Sequence, residues 1–172
     1  MSPPLEPDRD DLAARLARPP VGGDAGSGDW SVDPIPDSRS GARQVALQAL
    51  YGETAVPGSA VAQAGELAAG AGLGTEHQGF ALALVRAAVE HMVELDELIA
   101  QTATGWRLGR MARVDLAILR LSLAEMLHLE GIPPRVSIDQ AVELARLYGG
   151  EQSYAFVNGI LDAAARRRGL SV

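Results

Sequence analysis

The chain has 172 residues, a formal net charge of −7, no cysteine, and 15 basic residues that are all arginine. That length suits one domain with a tail, and the lack of cysteine excludes disulfides, thiol nucleophiles and Cys-type zinc sites. No apolar run approaches the roughly 18–20 residues that span a bilayer and no basic stretch followed by an apolar core opens the chain, so a cytoplasmic protein without a membrane partner is expected.

Residues 1–39 read as a disordered Pro/Gly/Asp-rich leader. Pro3, Pro4, Pro7, Pro19, Pro20, Pro34 and Pro36 interrupt any element, and the stretch from Gly22 to Gly28 has the composition of a flexible linker. A short helix over 10–18, with Leu12 and Leu16 on one face, is the one element this leader allows. Trp30 is either an incidental tail residue or a peg for the rest of the chain. Residues 1–40 carry eight acids against four arginines, which leaves 41–172 at a net charge of −3.

Residues 40–172 read as one all-α domain. Ser40 opens a helix in which Ala42, Val45, Ala46, Ala49 and Leu50 share an apolar face. Gln44, Gln48 and Tyr51 gather opposite, with Arg43 near the border. A weakly amphipathic helix over 59–69 ends in the glycine-rich stretch 70–74. Thr75 with Gln78 has the form of a capping box and starts a long helix to about Ala103, striped by Phe80, Leu84, Ala87, His91, Leu95 and Leu98. After a turn near 108–110, the segment 112–129 is apolar on most sides, as a central helix should be.

Pro133 and Pro134 close that segment, and Ser137 with Gln140 forms another capping box. Ile138, Ala141, Ala145 and Tyr148 recur at helical spacing until Gly149 and Gly150, where a left-handed residue is expected to end the helix. The last helix opens near Glu151 and carries Phe156, Val157, Ile160, Leu161 and Ala164 as its stripe. Gly159 in its interior costs roughly 1 kcal/mol against alanine, which predicts the close approach of another helix or of a ligand.

Catalytic chemistry finds no support in these residues. His77, His91 and His128 are far apart and form no HExxH pair; His91 on its apolar stripe reads as a packing residue. Glu90, Glu94 and Glu97 read as a wet face, and His91-Met92-Val93-Glu94 reverses the Glu-x-x-His order of di-iron bundles. The expectation is a non-enzyme with no cofactor and no metal. A binding surface remains, and the acidic balance means that any contact with nucleic acid rests on a local arginine cluster or on a partner's charge.

Four blocks point to a family. They are ARQVALQALY (42–51), VDLAILRLSLAEM (114–126), IPPRVSIDQAVELA (132–145) and FVNGILD (156–162). In order and spacing, over about residues 40–169, the chain resembles the NusB family of bacterial transcription antitermination factors. The resemblance implies a bundle of about seven helices, the first three packed against the last four. It also implies binding of single-stranded boxA RNA in ribosomal RNA leaders, jointly with NusE, the small-subunit ribosomal protein, in an RNA polymerase elongation complex with other Nus factors.

Carried onto this sequence, the RNA-binding groups are Arg39 and Arg43 for phosphate, Gln48 and Tyr51 on the first helix, and Gln152, Phe156 and Asn158 on the last. Bases of single-stranded RNA stack on aromatic or guanidinium planes and are read at their edges by amides. Asp115 stands where the family presents an acid towards NusE, with Arg113 and Arg120 on a separate stripe of that helix. The residue pattern alone also accommodates Tyr51 as helix-end packing, Phe156 as core, Gln48 as solvated, Asp115 as an ordinary surface carboxylate, and Arg120 paired with Glu125 or another acid.

Two departures bear on the RNA side, the first by weakening it and the second by altering pairing with RNA or a neighbour. The family's arginine-rich segment is reduced to Arg39 and Arg43 in SRSGARQ, and Gln152 replaces an acid that some members carry. The implied behaviour is weak RNA binding alone and useful affinity only with NusE. Two other readings compete: a stand-alone relative of the N-terminal domain of ribosomal RNA cytosine methyltransferases, and a monomeric or homodimeric protein-binding module that never touches RNA.

Overall fold

The computed structural model describes residues 34–172; the leader helix expected over 10–18 and Trp30 lie outside the described residues. Seven α-helices and one 3-10 turn make up the described part, with no strand among the described residues. They are α1 (Arg39–Glu53), α2 (Ala60–Gly70), α3 (Thr75–Glu90), α4 (Met92–Thr102), the turn Leu108–Arg110, α5 (Arg113–His128), α6 (Pro134–Tyr148) and α7 (Ser153–Arg167). α1, α2 and α3 pack on one another, α4, α6 and α7 surround α5, and α5 joins the two groups by touching α1 and α3. The expected division into three helices against four is the observed one.

α5 is the axle of the bundle. From Val114 to Met126 only Leu116 and Arg120 escape full burial, and each sealed leucine, such as Leu119, Leu121 or Leu123, contributes about 2 kcal/mol by leaving water. α1 is buried more completely than an amphipathic helix should be: every residue from Gly41 to Leu47 is inaccessible, Arg43 and Gln44 included.

The start of the domain lies earlier than residue 40. Ser38 caps α1 by accepting the Gly41 N–H at 3.1 Å, and a Cβ on Gly41 would collide with the Pro36 carbonyl and the Ile35 methyl. Ile35 packs beside Ala42, Val45, Leu73 and Ala81. Asp37 accepts the Gly74 N–H at 2.9 Å and pairs with His77, bonds that hold its carboxyl below the usual range, His77 first. The segment 34–38, read from sequence as leader, is therefore part of the bundle.

Neither capping box forms. Gly74 occupies the cap of α3, and the Gln78 amide donates to the Leu73 carbonyl instead. α6 starts at Pro134, whose missing N–H costs nothing in the first turn; Ser137 then falls inside the helix and donates to Glu125 Oε1 at 2.6 Å. The long helix expected over 75–103 bends at His91, whose φ of −105° and ψ of 16° separate α3 from α4. Hydrogen bonds run through the bend, from His91 to Ala87 and from Leu95 to His91, so no proline or glycine marks it.

Gly149 ends α6 in extended rather than left-handed backbone, with φ −84° and ψ 178°. Crowding is its reason: a Cβ there would strike the Ser153 side chain and the Ala145 carbonyl. Gly159 is the reverse. Nothing lies within 4 Å of where its Cβ would be, so it leaves bare helix surface and admits no close neighbour within the described residues.

Candidate nucleic-acid interface

The N-terminus of α1 opens a groove of about 490 Å³ lined by Ser38, Arg39, Ser40, Arg43, Gly131, Pro133 and neighbours. Free N–H groups at a helix start favour an anion, and Arg39 is exposed there, its guanidinium 5.1 Å from the Phe80 ring centroid. Arg43 behaves differently. At 6% exposure it is buried, and its Nε and Nη2 donate to Glu125 at 2.7 and 2.9 Å. The expectation that Arg43 meets phosphate is corrected: a bidentate pair with a sealed carboxylate occupies the fork, and this arginine joins α1 to α5.

The C-terminal half of α1 shows a narrow strip. Gln48 and Tyr51 are half-buried, and Tyr51 leans on the main core. Gln44 lies under Tyr148, whose hydroxyl donates to Gln44 Oε1 at 3.1 Å, and Gln48 is the second side-chain partner of that hydroxyl. Burial first, offset by the Gln48 bond, raises the Tyr148 phenol above its ordinary value. Tyr148 is the last residue of α6, so its hydroxyl fixes the Gln48 flank of α1 beside the turn that launches α7.

On α7 the expected residues separate. Phe156 is half-buried and meets Trp106 edge to face, with centroids 5.2 Å apart. Gln152, one turn earlier, is exposed. Asn158 is also exposed, but two positions along a helix place it about 160° around from Phe156. It sits on the flank of Tyr154, whose ring stacks under Arg146 of α6 at 4.4 Å. A single strand resting on Phe156 does not reach Asn158 on the same face.

The sequence reading missed Trp106, which is 37% exposed in the loop before α5. Arg107, Arg110 and Arg113 follow it, exposed and outside every ion pair among the described residues. Trp106 beside Phe156, trailed by these guanidinium groups, is a stacking surface with its own positive charge. Its only signal in the sequence was an aromatic next to arginine in a short glycine-flanked loop.

The expected partner residues also divide. Arg113 is exposed at the start of α5. Arg120 is taken by Asp96 through two bonds of 2.7 and 2.8 Å, so the internal pairing is the observed one. Asp115 is not a surface acid: it is 7% exposed. Ser153 of α7 hydrogen-bonds it, yet burial dominates and pushes its carboxyl above the ordinary value. Ser153 Oγ also accepts the Gly150 N–H at 2.9 Å. Oδ1 of Asp115 has no partner among the described residues, a costly state for a buried acceptor.

One set of residues has metal-ligand chemistry. Among the described residues, His91 and His128, far apart in sequence, come together with Glu94; His91 packs on the His128 ring there and pairs with Glu94.

A model described as the NusB family matches residues 40–166. The transcription antitermination protein NusB of Symbiobacterium thermophilum is 45% identical over 137 residues, 75% of this chain and 90% of that protein. Its counterpart from Geobacter sulfurreducens is 43% identical over 129 residues, covering 72% and 90%. Among solved structures, T. maritima NusB is similar with a TM-score of 0.70 at 32% identity, over 75% of this chain and 91% of that one. A chain in the structure of antitermination factors NusB and NusE in complex with dsRNA is similar with a TM-score of 0.69 at 28% identity, over 75% and 96%.

Proposed function

This chain belongs to the NusB family, and we propose that it serves transcription antitermination by holding single-stranded boxA RNA of ribosomal leaders together with NusE. The relative crystallised with NusE and RNA supports both kinds of partner. The observation that carries the reading is the state of two rings: Tyr51 and Phe156 are each half-buried against the core, anchored but with a face left over. The Tyr148 hydroxyl ties the helix of one to the turn before the helix of the other.

In this reading bases stack on Phe156, Trp106 and Tyr51, while Gln48 and Gln152 address base edges. Arg39 at the start of α1 and Arg107, Arg110 and Arg113 beside Trp106 neutralise phosphates. With Arg43 committed to Glu125, the α1 end supplies fewer cations than the sequence offers, and each lost phosphate contact removes about 0.7 from the salt slope on a single strand. NusE supplies the remainder. We place its docking over the start of α5, where Asp115 keeps 7% of its surface exposed.

Titration of labelled boxA RNA with and without NusE tests this. The expected result is weak, salt-sensitive binding by the chain alone and at least tenfold tighter binding with NusE. Equal affinity in both arms would overturn the joint recognition, and no binding in either would favour the protein-only module.

A further inference from the structure

We propose that His91, Glu94 and His128 form a binding site for a divalent transition-metal ion of the zinc type. His91 is the residue at the α3–α4 bend, Glu94 lies one turn on along α4, and His128 closes α5. Glu94 Oε2 stands 3.0 Å from His128 Nε2 and 3.5 Å from His91 Nδ1. One ligand atom from each residue falls within 4.8 Å of the other two. Zinc holds nitrogen and oxygen ligands at about 2.0–2.2 Å, so its ligands sit roughly 3.3 Å from one another. Closing the set needs side-chain shifts of about 1–1.5 Å, within the freedom of half-buried groups.

The ring arrangement argues for a missing centre. The two imidazoles lie face to face, centroids 3.5 Å apart and planes 5° from parallel, whereas aromatic quadrupoles disfavour a full sandwich. Both rings turn to the same carboxylate oxygen because it is the acceptor on offer. Tilting each ring by roughly 50° would aim its in-plane lone pair at one shared point about 2.1 Å away, and coordination would then replace the sandwich. The second oxygen is already held: Arg168 Nη2 donates to Glu94 Oε1 at 2.7 Å. Such an outer partner fixes how a carboxylate ligand faces its metal.

The donor set selects the ion. Two imidazoles and one carboxylate suit zinc and its late first-row neighbours, while calcium and magnesium require oxygen cages. Partial exposure of all three side chains leaves a fourth position to water. The ion would clasp the α3–α4 bend to the far end of α5, and through Arg168 to the end of α7. Arg113, which the proposed function sets against RNA, and His128 are fifteen residues apart on α5, about 22 Å along a helix. The site is thus separate from that end of the proposed RNA surface and does not depend on that reading.

The test uses the tag-free full chain, stripped with chelator, titrated calorimetrically with zinc and monitored with cobalt for the visible bands of a tetrahedral centre. Expected is one equivalent of zinc at micromolar concentration, a raised melting temperature, and cobalt bands of the imidazole–carboxylate type. His128→Ala and His91→Gln, each checked for helical content, should weaken binding at least tenfold, while His77→Gln, distant beside Asp37, should leave it unchanged. Absence of saturable zinc binding, or binding that survives both His91→Gln and His128→Ala, would overturn the site.

Discussion

α5 buries two carboxylates, one near each end, and they live in opposite circumstances. Glu125 is 2% exposed and fully engaged, receiving two bonds from Arg43 and one from Ser137. Asp115 is 7% exposed and, among the described residues, is hydrogen-bonded by Ser153 and keeps an oxygen with no partner. A closed polar network locks three helices, because α1, α5 and α6 each contribute a member. An open one lowers stability and gains nothing unless something else completes it. The Glu125 end of the helix is architecture, and the Asp115 end is where the proposed function places a partner.

The sharpest way to break this contrast is Arg43→Ala. It strands Glu125 in the core, and removing one partner of a buried pair costs about 3–5 kcal/mol; urea unfolding should show the loss, with Arg43→Lys recovering only part of it. A phosphate-contacting role would instead give normal stability and weakened RNA binding. Next is Phe156→Ala, at the open end. Loss of one stacked base costs about 1–3 kcal/mol, or roughly 5- to 150-fold in boxA affinity of the NusE-loaded chain, measured by fluorescence anisotropy, whereas Asn158→Ala on the opposite flank should change it little.

Asp115→Asn removes a buried charge and should stabilise the isolated chain by about 1 kcal/mol at neutral pH, raising the melting temperature by about 3 °C. The sign follows from linkage. The folded carboxyl titrates above its unfolded value of 3.8, so its ionisation penalty is absent below that pH, grows as pH rises through the folded value, and is complete beyond it. The gain from Asp115→Asn should therefore vanish in melts below about pH 4, and the same variant should bind NusE more weakly. The smallest effect belongs to Arg120→Ala: its pair with Asp96 is partly exposed, worth about 0.5 kcal/mol, and NusE binding should not change.

The helices were legible because their apolar periodicity agrees with burial: Val157, Ile160, Leu161 and Ala164 are inside as spaced. What failed were local signals outvoted by distant contacts. Ser137 had the spacing of a cap but became a donor to Glu125, a residue far away in the chain. The bend at His91 carries no breaker, and the helix beyond it, α4, packs on α5 and α7. Site residues suffered for the same reason. Arg43 and Asp115 were assigned to the surface by the family resemblance, and only the fold reveals that one is neutralised and the other left short. Trp106 lay outside every periodic segment, so its alliance with Phe156 depends on how the loop before α5 crosses α7.

Ultraviolet crosslinking of boxA RNA to the NusE-loaded chain, mapped by mass spectrometry, tests the central claim most directly. The account predicts adducts on Tyr51 of α1 and on Phe156 or Trp106 beside α7. Adducts confined to other helices, with α1 and α7 unmodified, would contradict it.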